Sequence, residues 1–222
     1  MIKLNNKFAI GCLIQWYEIE LVEEYLRSVK NAVDSVQNKK DVIIDLYFNT
    51  SQALEKIDNN QITLSDLNQK YNKLLMDIFG YDDEFVSLVG CDYNLKLHTN
   101  KHVEEIHTIA DYRREFNDKY CEKVDVLMWG ETDSLIPKQT FEILDSLHNN
   151  VKNQTQKYVL FFGTNKMWDD SWKPIEHSDF TDKPFIENDT KNWWSLKYNM
   201  SIEEMYEINN KVEELDIRTV NP

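Results

Sequence analysis

At 222 residues, with 41% hydrophobic and 12% aromatic residues, the chain can fill the core of one large domain or two small ones, and its composition argues against intrinsic disorder. A formal net charge of -14, with no run of Lys/Arg, argues against a broad electrostatic footprint on nucleic acid or anionic lipid. Cys12, Cys91 and Cys121 fit neither a disulfide framework nor a zinc spacing and read as reduced, mostly buried thiols of a soluble cytoplasmic protein; no apolar run reaches the length of a membrane span or a signal peptide.

Phe8 to Ile14 (FAIGCLI) is apolar throughout, as a strand covered on both faces would be. After QWYEIE, Leu21, Tyr25, Val29 and Val33 recur at helical spacing, and Val42 to Asn49 (VIIDLYFN) reads as the next strand. This strand–helix–strand opening predicts a parallel sheet. Residues 51–79 are expected to be helical, first SQALEKI, then a helix with Thr63 or Ser65 as cap and Gly80 as stop. EFVSLVG and YNLKLHT read as a strand or strand pair, and KHVEEIHTIADYRREFNDKYC as a long helix. It leads to the strand VDVLMW, and a helix is expected from Pro137 onward, where a missing N–H costs little. Lys157 to Gly163 (KYVLFFG) reads as another strand. The remainder is irregular, aromatic and acidic until a final helix that opens with a Ser201/Glu204 capping-box pattern. The expected architecture is a single α/β domain with a mostly parallel central sheet flanked by helices. Its core would span 1–163, with 164–222 an elaboration of the same domain.

The chemistry concentrates in VDVLMWGETDSLIP. If strand geometry continues past Trp129, Glu131 and Asp133 point the same way. Two carboxylates so close repel unless a cation sits between them, and all-oxygen ligands suit Mg2+ or Mn2+. The location also fits the rule that open α/β sheets bind ligands at the carboxyl ends of their strands. Taken alone, an acid-x-acid triplet is more often a solvated turn.

The order of features from Phe8 to Leu147 resembles the GT-A glycosyltransferases, particularly the family 2 type. EEYLRSVKNA matches the pattern of the helix after the first strand, and YRREFNDKYCEKVDVLMWGETDSLIPKQTFEIL matches an Arg–Asn element, a strand, a DxD-type motif, a proline and a helix. The chain departs from the family in having Glu131 for the first aspartate and YFNTS in place of a DDGS-type strand end. The resemblance implies a GT-A-like, Rossmann-like fold, and a sugar moved from a nucleotide-sugar donor, UDP- or GDP-linked, to a sugar or glycan acceptor. It implies a divalent Mn2+ or Mg2+ held by Glu131 and Asp133, with His177 as a further candidate ligand. Donor contacts would come from Gln15, Tyr17, Asn49, Arg113, Arg114, Asn117 and Thr132, with one of the two arginines pointing inward. Asp169, Asp170, Glu176 and Asp179 are unresolved candidates for the general base. Trp168, Trp172, Trp193 and Trp194 could stack on an acceptor or close a minor core. Two other readings remain open: a GT-A-like binding or assembly module without catalysis, and a metal-dependent nucleotidyltransferase.

Overall fold

The computed structural model describes residues 1–19, 22–51, 63–82, 91–100, 107–153 and 158. Four parallel strands make up its sheet: β1 (Phe8–Gln15), β2 (Val42–Asn49), β3 (Asn94–Thr99) and β4 (Val126–Trp129), in the order β3-β2-β1-β4. Helices α1 (Val22–Asp34), α2 (Leu64–Phe79), α3 (Ile109–Tyr120) and α4 (Thr140–Val151) accompany them. The protein is therefore of the α/β class, with a parallel sheet flanked by helices, as the sequence predicts. Met1–His148 forms one compact unit and Asn149–Pro222 another; the sheet with α1, α2 and α3 belongs to the first.

The period-two pattern of the strands divides the core between two faces. Phe8, Ile10, Cys12 and Ile14 of β1 are buried on one face, level with Val42, Ile44, Leu46 and Phe48 of β2. There Phe8 meets Phe141 of α4 edge-on, Cys12 lies beside Tyr25 of α1, and Phe48 stacks on Tyr71 of α2. On the opposite face Ala9 and Leu13 pack with Tyr112, Phe116 and Tyr120 of α3. Gly11 lies between them because α3 comes so near: a Cβ there would fall 2.6 Å from the Phe116 ring and 2.7 Å from the Tyr112 hydroxyl.

Asp45 is buried on this second face, in the middle of an otherwise apolar strand. Its carboxylate accepts from Tyr120 at 2.6 Å and from Lys119 at 3.0 Å, with His98 Nε2 at 3.0 Å and the Tyr112 hydroxyl at 3.1 Å. Burial alone would raise this carboxyl. Hydrogen bonds from His98 and Tyr120, the His98 charge and Lys119 outweigh burial and hold it below the usual aspartate value. A second buried carboxylate, Asp145 of α4, accepts from the Asn5 and Asn6 backbone N–H groups and from both asparagine side chains at 2.8–3.0 Å, and so anchors the segment entering β1.

Local signals placed most helix ends. Thr63 caps α2 by accepting from the Asp66 N–H at 3.0 Å, and Gly80 ends it in the left-handed region at φ 64. Thr108 and Asp111 form a reciprocal capping box at the start of α3. Three expectations need correction. Pro137 does not open α4; Thr140 N–H donates to the Pro137 carbonyl at 3.0 Å, closing a turn, and the helix begins only at Thr140. β4 ends at Trp129, so the pleat does not carry on through the acid pair. Of the cysteines, all free, only Cys12 is buried; Cys121 is exposed because it falls just past the end of α3. SQALEKI beyond Ser51, EFVSLVG, residues 101–106, the strand expected at Lys157 to Gly163 and the C-terminal helix lie outside the described residues, except for Tyr158.

Candidate functional site

The strand order fixes where a ligand crevice can form. From β1 the chain steps outward to β2 and β3, then returns to the far side of β1 as β4, so the order reverses between β1 and β4. In such sheets the two loops leaving the carboxyl ends at the reversal diverge and leave an opening. Here those loops are Trp16–Glu18 after β1 and the turn from Gly130 after β4.

On the β1 side, Gln15 N–H donates to Glu18 Oε2 at 2.9 Å, closing a single 3-10 turn. Glu18 is only 8% exposed. Burial raises its carboxyl to about 7; the bonds from Gln15 and from the Thr132 side chain oppose the rise, and the charges of Asp133 and Glu131 add to it. Gln15 Oε1 and Trp16 Nε1 are buried here without a hydrogen-bond partner. Tyr17 is 37% exposed and meets Trp16 edge-on, with ring centroids 5.7 Å apart.

On the β4 side, Gly130 N–H donates to the Gly11 carbonyl at 2.8 Å, carrying the β1–β4 pairing one step beyond the strand. A Cβ at Gly130 would collide with the buried Tyr25 hydroxyl, so a side chain there would displace the loop that bears the acids. Ser134 N–H then donates to the Glu131 carbonyl at 3.1 Å. Glu131 and Asp133 are thus brought near each other by a tight turn rather than by strand alternation. Burial raises the Glu131 carboxyl, Arg113 lowers it and Asp133 raises it further, leaving it above the ordinary glutamate value.

Arg113 of α3 forms an ion pair with Glu131, and its guanidinium lies 5.2 Å from the centre of the Trp129 ring. Trp129 Nε1 donates to Asn117 Oδ1 at 3.1 Å, so Arg113 and Asn117, one helical turn apart, both engage the end of β4. Arg114 points elsewhere: it is 70% exposed and lies 3.6 Å from Asp111. Asn49, fully buried at the end of β2, donates to the His107 carbonyl at 2.7 Å and accepts from the Ser51 backbone and hydroxyl at 3.1 and 2.7 Å. Those bonds hold a turn. Thr132, 4% exposed, faces Glu18.

The structure therefore gathers Gln15, Tyr17, Arg113, Asn117, Glu131, Thr132 and Asp133 around the β1 and β4 ends. It directs Arg114 away and commits Asn49 to internal bonds. His177, Asp169, Asp170, Glu176, Asp179 and the tryptophans from Trp168 onward lie outside the described residues. Glu18 is the residue that sequence reasoning missed. Its signal was an acid three positions past the last strand residue, where a carboxylate can reach back to the Gln15 N–H.

Oxygen ligands of this kind are the type a hard divalent ion takes: the charges of Glu131 and Asp133 raise the Glu18 carboxyl, that of Asp133 raises Glu131, and Arg113 pairs with Glu131. Among the described residues, no three His, Cys, Asp or Glu side chains are arranged as a ligand cage, and Glu131 is engaged by Arg113. No described helix is long and apolar enough to cross a membrane. No protein-family model, curated protein or solved structure matches the chain.

Proposed function

We propose that the protein is a glycosyltransferase that takes a nucleotide-sugar donor at the β1–β4 crevice, with a divalent metal held by Glu131 and Asp133. The observation that supports this reading is the convergence of Glu131, Asp133, Arg113 and Glu18 at the reversal in strand order among the described strands. A divalent ion bound there would offset the negative charge that develops on the departing diphosphate. The rest falls to this chain's own groups. Arg113 can exchange its carboxylate partner for phosphate oxygens while keeping its contact with Trp129. Asn117 keeps the Trp129 ring in place through Nε1. Tyr17, partly exposed at the mouth of the crevice, offers a face to the nucleoside.

Calorimetric titration with UDP and GDP, each with and without Mn2+, tests the proposal. The expected result is metal-dependent binding to one nucleotide that Asp133→Ala abolishes. Absence of binding to either nucleotide under both conditions would refute it. The second reading, a binding module without catalysis, draws on the internal commitment of Asn49 and the Arg113–Glu131 pair. Slow hydrolysis of a UDP- or GDP-sugar over long incubation separates it from the first, since a bare module releases no sugar.

A further inference from the structure

We propose that His98 is a proton-operated latch for Lys119. With Nε2 bare, His98 accepts a hydrogen bond from the Lys119 ammonium and holds it over Asp45; when Nε2 takes up a proton, His98 claims Asp45 for itself and turns Lys119 out to solvent.

The latch is a triangle of atoms. His98 Nε2 lies 3.0 Å from Asp45 Oδ2 and 2.9 Å from Lys119 Nζ, and Nζ lies 3.0 Å from the same Oδ2. No single protonation state satisfies every side, because Nε2 either carries a hydrogen or offers a lone pair. With a hydrogen there, imidazole and ammonium face each other donor to donor at 2.9 Å. With a lone pair, the ammonium has enough N–H groups to donate to both Nε2 and Oδ2. Asp45 asks nothing more of a neutral ring: Oδ2 already accepts from Tyr120 at 2.6 Å and from Lys119, and Oδ1 takes the Tyr112 hydroxyl at 3.1 Å. Once the ring is charged the balance reverses, since two cations 2.9 Å apart then compete for one buried carboxylate. Lys119 is the one that leaves. Its side chain is 39% exposed on a flexible stem that reaches water, whereas His98 is fixed on β3.

The groups around the triangle offer the displaced cation no second carboxylate. From β2, Tyr47 has its ring centroid 6.3 Å from that of His98. From α3, Tyr112 and Tyr120 are both bonded to Asp45, and Glu115, one turn before Lys119, lies 4.0 Å from His107 instead. Lys123 lies 5.8 Å from the centre of the Tyr120 ring, Lys96 is exposed opposite Asp45 in the β2–β3 register, and β1 presents only Gly11 to Asp45.

The test uses the full chain with 15N-labelled histidine, whose charge ordinarily changes between about pH 5 and 8. Long-range 1H–15N NMR reads which ring nitrogen carries hydrogen, and His98→Gln assigns the signals. At about pH 8 the wild type should show a bare Nε2 with the hydrogen on Nδ1. Lys119→Met removes the donor and should move that hydrogen to Nε2 at the same pH, where it bonds Asp45. In urea denaturation, Lys119→Met should raise the unfolding equilibrium constant about tenfold at about pH 8 and under about twofold at about pH 5.5. In a His98→Gln background its effect should be the same at both pH values. A hydrogen on Nε2 of the wild type at the higher pH overturns the proposal, and this reading needs no variant of Lys119. So does a bare Nε2 that persists in Lys119→Met, or a Lys119→Met effect that does not change with pH while His98 is present.

Discussion

Replacing Asp45 with alanine should be among the most damaging single changes in the α3 face of the sheet. The carboxylate is 2% exposed and is approached at 2.6–3.1 Å by Tyr112, Tyr120, Lys119 and His98. Truncation leaves the buried Tyr120 hydroxyl and the Lys119 ammonium without this acceptor, while the Tyr112 hydroxyl keeps the Asp45 backbone carbonyl at 2.9 Å, and it opens a void beside Gly11. Removing one partner of a buried charged network costs about 3–5 kcal/mol, well below the sum of the separate bonds because they share one group. Asp45→Asn keeps the volume and some hydrogen bonds and should cost roughly half as much. The pH dependence gives an independent check. Because the folded carboxyl is held below its unfolded value, its contribution is fully present above about pH 4 and is lost as pH falls through the folded value. Urea denaturation followed by circular dichroism should therefore show a gap between wild type and Asp45→Ala at neutral pH that narrows below about pH 4. A gap under about 1 kcal/mol at neutral pH, or one that does not narrow in acid, would refute the assignment of Asp45 as an ionised structural anchor.

Two further outcomes follow from individual contacts. Arg113→Gln removes the cation that pairs with Glu131 and should tighten Mn2+ binding roughly fivefold, the equivalent of about 1 kcal/mol for a half-exposed ion pair, while weakening nucleoside diphosphate binding; weaker binding of both would show that Arg113 only supports the turn. Asp145→Ala releases the Asn5 and Asn6 bonds at 2.8–3.0 Å and should cost about 2–4 kcal/mol in the same urea assay, and an unchanged midpoint would show that the entry to β1 is held elsewhere.

The sequence by itself determined the strand–helix alternation of the opening, the bounds of β2 and the Gly80 stop of α2, and narrowed its N-cap to Thr63 or Ser65, because each depends on side-chain periodicity or on a residue reaching its own backbone a few positions away. It also brought Glu131, Asp133, Arg113 and Asn117 forward as a group. Tertiary structure decided how that group is arranged. Whether Arg113 or Arg114 faces β4 depends on which side of α3 packs over Gly11, and two adjacent arginines carry no local signal to separate them. Asn49 read as a ligand group and proved to hold a turn, because its partner His107 is 58 residues away. Asp45 was invisible as a structural anchor for the same reason. A buried carboxylate is defined by the donors that meet it, and those donors come from elements that become neighbours only when the sheet closes.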